Sequence, residues 1–264
     1  MPTLDDTPVD LVYLGATTAC VRVRRGWPAD LHGSHPTAMR VTFQDGIQRT
    51  FQGDVPFDIA QAGQGGLRQP LAATNSTRYN LFLVPSAAAP SASLAVIGDV
   101  TGPTQGPVGY YSNWVYVGSI YRDAGGALIP WFQNGQWFEH WGAVVVENVP
   151  ALDGALTQVA LTTGGGMPVW ASSADISSGM VKDAALGEIT AMFAQDDGAG
   201  APRAVVEVLY LLDDEAVIQR NVMRAIISLS GGSGTIWRRR VSSGAAVLTE
   251  WFVEVRRYLD PYVR

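Results

Sequence analysis

Apolar and polar residues alternate with a period of two along most of the chain, the pattern of strands half-buried in sheets. From Ala19 to Arg24, Ala19, Val21 and Val23 share one side and Cys20, Arg22 and Arg24 the other. Met39, Val41 and Phe43 alternate with Arg40, Thr42 and Gln44, and after Asp45-Gly46 the partner segment offers Ile47, Arg49 and Phe51. Pairing Phe43 with Ile47 across a three-residue loop, with Gly46 left-handed, sets Met39 opposite Phe51 on the same face; a two-residue loop breaks that match. Further strands are predicted over 79–84, 93–97, 114–120, 127–132 and 136–146. Turn signals separate them at Pro85, Pro90, Gly102-Pro103, Gly106-Pro107, Gly125-Gly126 and Asn134-Gly135.

After Val149-Pro150 the pattern restarts, with predicted strands over 156–161, 167–171, 189–194, 204–212, 235–241 and 247–258. The last alternates cleanly: Val247, Thr249, Trp251, Val253 and Val255 against Leu248, Glu250, Phe252, Glu254 and Arg256. The segment from Glu215 to Leu229 fits two periods, because Ile218, Val222, Ala225, Ile226 and Leu229 also form a helical stripe; strand is the expectation adopted. Many short strands with this punctuation predict an all-β chain of two antiparallel β-sandwich or barrel-like domains. The expected boundary lies near residue 149, giving an N-terminal sandwich over 1–149 and a C-terminal β-rich domain over 150–264.

Composition changes this picture in one respect. The 264 residues suffice for two modest cores, but only 16% are charged, against about 25% in ordinary soluble domains. Much of the surface must therefore be Ser, Thr, Gln, Gly and Ala, or be covered by other chains. Lys182 is the only lysine, and a net charge of -6 argues against a nucleic-acid footprint. The lone Cys20 excludes an intrachain disulfide and a cysteine-rich metal site. Met1 to Asp10 carries three aspartates and two prolines instead of a basic segment followed by an apolar one. No apolar run approaches the roughly 20 residues a bilayer requires, so a soluble chain made in a cytoplasm, without membrane insertion, is expected.

Candidate chemistry is sparse. His32 and His35 occupy a Gly/Ser/Pro-containing loop with no further ligand announced. Gly-x-Ser-x-Gly is absent, and Ser233 within Gly231-Gly232-Ser233-Gly234 reads as a hairpin tip. Gly63-Gln64-Gly65-Gly66 and Gly164-Gly165-Gly166 lack the Lys-Ser/Thr of a phosphate loop. Asp196-Asp197-Gly198 and Asp213-Asp214 stand where turns are expected and lack the spaced oxygens of a calcium loop. Arg238, Arg239 and Arg240 form the one basic run; alternation turns Arg239 away from its neighbours, and an inter-subunit salt bridge to an acidic turn is expected of the run. No catalytic residue, metal or cofactor is expected.

The richest patch is Gln136 to Trp141. On a strand, Trp137, Glu139 and Trp141 share one face, and Phe138, His140, Val144 and Val146 the other. Aromatic rings flanking a carboxylate can stack on a sugar and bond its hydroxyls, so Trp131, Trp137, Glu139, His140 and Trp141 are the candidate glycan-binding residues. A glycosidase needs a second carboxylate about 5 to 9.5 Å away, and nothing local supplies it. The alternative is that one face packs in the core and the other at a contact between domains or subunits.

A longer motif order carries a resemblance. Asn75-Ser76-Thr77-Arg78-Tyr79-Asn80-Leu81-Phe82-Leu83-Val84 is followed by Gly106-Pro107-Val108-Gly109-Tyr110, then by Val117-Gly118-Ser119-Ile120-Tyr121-Arg122-Asp123, and then by Gly126 to Gly135. This order resembles the tail-fibre and appendage-type virion proteins of tailed bacteriophages over roughly residues 60 to 147. Gly65-Gly66-Leu67 sits where those proteins tend to carry a Gly-Leu-Asp element, with Arg68 here in place of the acidic residue. The resemblance implies a structural or host-recognition role in a virion and transfers no catalytic residues. The expected partners are other copies of the chain in a homo-oligomer, a trimer being one candidate, with other virion proteins and a host surface glycan. Composition agrees, since symmetric assembly buries strand edges that a monomer protects with lysines.

Overall fold

The computed structural model describes residues 9–23, 38–43, 46, 48–88, 93–110, 113–197, 199, 201–211, 218–229 and 234–263. Among these there is no α-helix; seventeen strands and one 3-10 turn, Thr163–Gly165, make up the regular structure. The chain is all-β, and it divides into two compact units, residues 1–138 with 262–264 and residues 139–261. The division falls inside a strand, while the sequence expectation lay near residue 149. The Val149 carbonyl accepts a hydrogen bond from Arg240 Nη1 at 2.6 Å, within the second unit.

The first unit holds β1 (Val9–Tyr13), β2 (Thr18–Val23), β3 (Ala38–Thr42), β4 (Gln48–Gln52), β5 (Val55–Asp58), β6 (Thr77–Pro85), β7 (Leu94–Asp99), β8 (Val115–Arg122), β9 (Trp131–Asn134) and the first two residues of β10 (Trp137–Glu147). β1-β2-β5 and β7-β6-β8 are three-stranded antiparallel sheets, and β3-β4 is a hairpin. The hairpin has the expected register, Met39 opposite Phe51 and Val41 opposite Arg49. Gly46 takes φ +78° and donates its N–H to the Phe43 carbonyl at 3.0 Å, which is the glycine-dependent three-residue closure. In β6 the run Leu81 to Val84 is buried on both faces, which is why it reads as a continuous apolar stretch without alternation.

The motifs between residues 75 and 135 are built as turns. Asp123 accepts the Ala127 N–H on Oδ1 at 2.9 Å and donates its own N–H to the Ala127 carbonyl at 2.8 Å. Arg122 bonds the carbonyls of Gly126 and Ala73, and Asn75 Nδ2 that of Ala124. This tight return occupies Ala127 to Ile129, so the strand expected over 127–132 begins only at Trp131. Tyr110 N–H closes the Pro-x-Gly-Tyr turn on the Pro107 carbonyl. Arg68 pairs with the buried Asp99 carboxylate, which also accepts the backbone N–H groups of Val100 and Val108.

The second unit continues β10 and adds β11 (Thr157–Ala160), β12 (Ser173–Lys182), β13 (Ile189–Asp196), β14 (Pro202–Leu211), β15 (Gln219–Ser228), β16 (Thr235–Ser242) and β17 (Leu248–Leu259). The strand orders are β15-β12-β17-β10 in one sheet and β11-β16-β13-β14 in the other, and β12 with β15 and β17, β16 with β11 and β13, and β13 with β14 pair antiparallel. From β10 to β13 and again from β14 to β17, successive strands fall in opposite sheets. Eight strands wound this way form a jelly roll, the double Greek-key sandwich. Between the sheets lie Ala174, Ile176, Ile189, Ala191, Phe193, Ile236, Val253 and Val255, all buried; each fully buried aliphatic side chain contributes about 1.5–3 kcal/mol. Trp251 of β17 stacks on Phe193 of β13 with ring centroids 5.9 Å apart.

The strand expected over 167–171 is absent. Pro168 cannot donate to a ladder, and its carbonyl instead accepts the Ala171 N–H in a turn at 3.1 Å. Of the ambiguous segment, Gln219–Ser228 is strand β15, and residues 215–217 lie outside the described residues. Ile218, Val222 and Ile226 are spaced by four, a separation that satisfies both periods, and all three are exposed.

Candidate interaction surface

The five residues singled out as a glycan site fall in different settings. Trp131 is buried in the first unit, where its indole N–H donates to the Leu11 carbonyl at 3.1 Å and its ring meets Tyr13 edge-on. Trp137 is half-buried in that unit. In the second unit His140 is half-buried, with Nε2 2.7 Å from the Gly166 carbonyl and its ring 5.9 Å from that of Tyr258. Glu139 and Trp141 point the other way: Glu139 is exposed, and Trp141 is 69% exposed. The structure thus brings Glu139 and Trp141 to one face of β10 and engages the Trp131 and His140 rings in packing, following the predicted alternation.

The other candidate chemistry is structural. His32, His35, Asp213, Asp214 and Ser233 lie outside the described residues. Among the described residues no three His, Cys, Asp or Glu side chains gather as for a metal ion. Asp196 is buried and accepts hydrogen bonds from Trp237 Nε1 at 2.9 Å and Gln158 Nε2 at 3.2 Å. Asp197 accepts the backbone N–H groups of Ala201 and Ala199 in a turn, and these bonds hold its carboxyl below the usual range. Burial pushes the Cys20 thiol up, despite Arg22 nearby, so it is a poor nucleophile.

The arginine run corrects an expectation. Arg238 and Arg240 do face away from Arg239, but their partners lie within the chain, not on another subunit. Arg238 pairs with both Glu147 and Asp153, and Arg240 Nε bonds Asp153 at 2.8 Å. Glu147 also accepts the Trp251 indole N–H at 2.7 Å, and the Arg240 guanidinium lies over the Trp251 ring, 4.9 Å from its centroid. Alternation sends both arginines between the sheets, where Glu147 at the end of β10 and Asp153 in the segment after it meet them.

The most distinctive surface is the outward face of β15-β12-β17, which the sequence did not single out. Register places its residues in rows: Ile226–Asp175–Arg257, Arg224–Ser177–Glu254, Val222–Gly179–Phe252 and Arg220–Val181–Glu250. Arg220, Val222, Arg224, Ile226 and Glu250 are exposed, and Phe252 and Glu254 half-exposed. The Phe252 ring lies over Gly179, and a Cβ there would meet that ring and force it to shift. Asp175 is 1% exposed and is covered by Arg224, in a two-pronged pair at 2.9 and 2.7 Å, and by Arg257 Nε at 2.9 Å. Burial by itself raises the Asp175 pKa; hydrogen bonds from the two guanidinium groups outweigh it, and the net direction is down. Arg224 is pushed up by Asp175, with a smaller contribution from Glu139. The face thus carries two rows with arginine on edge strand β15 and glutamate on β17, the apolar row Val222–Gly179–Phe252 between them, and Arg257 of β17 with Ile226 at one end.

No protein-family model matches the chain, and no curated protein matches it. Among solved structures, one of the infectious bursal disease virus Gx strain superposes at TM-score 0.24 with 12% identity, covering 98% of this chain and 73% of that one. The VP2 subviral particle of infectious bursal disease virus gives 0.25 and 12%, over 97% and 73%; the Gt strain gives 0.24 and 12%, over 98% and 72%. Superposition at this level carries neither fold nor role, and the architecture described above rests on strand order and register.

Proposed function

We propose that the chain is a non-enzymatic structural component of a tailed-phage particle, in a tail, fibre or head-surface appendage, acting through contacts with copies of itself and with other virion proteins. The observation that carries this reading is the outward face of β15-β12-β17, which leaves ordered charges and an apolar row open on a sandwich whose core is already complete. Jelly rolls recur in capsid, lectin and cupin domains, and fold alone chooses none of these. The motif order over 60–147 and the low charge content favour the particle. The buried carboxylates Asp99, Asp175 and Asp196 and the half-buried Glu147 are each engaged by arginine, tryptophan or backbone donors, a use of charge that organises structure. The test is co-sedimentation of purified chain with particles assembled without it. The chain is expected to pellet with the particles; a chain that stays in the supernatant overturns the reading.

A second reading, a carbohydrate-binding module for a host surface glycan, is favoured by Trp141 and Glu139 on one open face of β10. It predicts glycan-array binding that disappears in Trp141→Ala while the fold persists. Binding unchanged by that substitution removes the reading.

A further inference from the structure

We infer that the outward face of β15-β12-β17 is a self-complementary interface, on which a second copy of this chain docks about a two-fold axis parallel to β12. The inference rests on the assembly reading above and specifies its geometry. A two-fold contact requires that whatever one copy offers at one place, it accept at the symmetry-related place. Three of the four rows meet that condition; the fourth, Ile226–Asp175–Arg257, sets Ile226 over Arg257 at the end of the patch. Rotation about an axis along β12 carries β15 of the second copy over β17 of the first without changing the level along the strands. Arg224 then lies over Glu254, Val222 over Phe252 and Arg220 over Glu250, and each pairing occurs twice. The small residues Ser177 and Gly179 occupy the axis and leave room for the rings and aliphatic groups on either side. Aligned sheets pack within about 30° of each other, so the match holds best for the central rows.

The alternative two-fold axis, in the plane of the face but across the strands, lays β15 over β15 and β17 over β17. That stacks arginine on arginine and glutamate on glutamate, an arrangement that like-charge repulsion excludes. The pattern therefore selects one axis. Arg220, Glu250 and Glu254 have no ion-pair partner among the described residues. Arg224 directs two of its donors at Asp175, and a guanidinium carries five. Val222 is 50% exposed and forms with Phe252 an apolar row between the Arg224–Glu254 and Arg220–Glu250 rows, an apolar centre within a charged frame, as in stable protein interfaces.

The test uses two exposed, well-separated charges in the complete chain. Arg220→Glu sets glutamate over glutamate at both symmetry-related places, and Glu250→Arg sets arginine over arginine. Each variant alone is expected to self-associate at least tenfold more weakly than the native chain in sedimentation velocity. An equimolar mixture of the two is expected to recover native association, because each copy then supplies the charge the other lacks. A native chain that associates while both variants associate equally well, or a mixture no tighter than either variant alone, overturns this interface and leaves assembly by another surface standing. A native chain that remains monomeric at millimolar concentration also overturns it, while co-sedimentation with particles decides the broader reading separately.

Discussion

Two arginine–carboxylate clusters serve the same jelly roll from opposite sides of one sheet, and they differ in what surrounds them. Arg238, Arg240, Glu147 and Asp153 lie between the sheets with Trp251 against them, and the two arginine side chains are 7% and 1% exposed. Arg224, Arg257 and Asp175 lie on the outward face, where the carboxylate is covered but the Arg224 side chain is 56% exposed. In the first cluster the two arginines depend on the carboxylates, because a guanidinium left alone at that burial has little water to turn to. In the second, the arginines cover an aspartate and still present donors outward. The first cluster fixes the fold; the second prepares a surface.

The sharpest way to break this contrast is to remove one member of the inner cluster. Glu147→Ala leaves Arg238 with one carboxylate and Trp251 Nε1 without its acceptor, and is expected to lower unfolding free energy by about 3–5 kcal/mol, read from denaturant midpoints. A cost below about 1 kcal/mol means that water reaches the site and the contrast is lost.

The outer cluster is expected to yield less. Asp175→Asn keeps an acceptor but loses the charge, at an expected cost of about 1.5–3 kcal/mol at pH 7. The sign with pH follows from the depressed carboxyl. Its stabilising contribution is full above the unfolded value of about 3.9 and fades as pH falls through the lower folded value. Native and Asp175→Asn stabilities should therefore differ at pH 7 and converge below about pH 4. A gap that widens in acid contradicts the assigned direction.

Smaller still are the effects of open positions on stability. Trp141→Ala and Arg220→Glu should each change unfolding free energy by no more than about 0.5 kcal/mol, so any loss of glycan binding or self-association is a surface effect. Lys182 sharpens the comparison chemically. It is fully buried, with Nζ donating to the Ala185 carbonyl at 2.8 Å, and an amine-acylating reagent should modify it only after unfolding. Rapid acylation of Lys182 in the native chain contradicts its placement.

What the sequence disclosed follows from which residues obey a two-residue period. The 39–51 hairpin, β10 and β17 were legible because each has one clean apolar face. β12 was not, although it is the central strand to which β15 and β17 both pair. Its buried positions include Ser177, Ser178 and Gly179, which lie under neighbouring side chains instead of forming a hydrophobic face, so no alternation marks it. β1 and β5 were missed as short strands next to turns. On the surface, Glu139 and Trp141 could be assigned to one face because they are near neighbours in sequence. The Asp175 cluster joins residues 49 and 82 positions apart, and only strand order reveals it. The Arg238–Arg240 alternation was foreseen, but its carboxylates lie about 85 to 91 positions away along the chain, and a link between subunits was expected instead.

The central claim is that this sandwich, complete in its core, is built to meet another copy across its outward sheet. Sedimentation equilibrium of the native chain over a range of concentrations, at about 0.15 M and about 1 M salt where the Debye length falls from about 8 to 3 Å, tests it directly. The account predicts an average mass that climbs from 28.2 kDa toward twice that value, with the climb moved to higher concentration by salt. A mass fixed at 28.2 kDa throughout, or an association indifferent to salt, contradicts it.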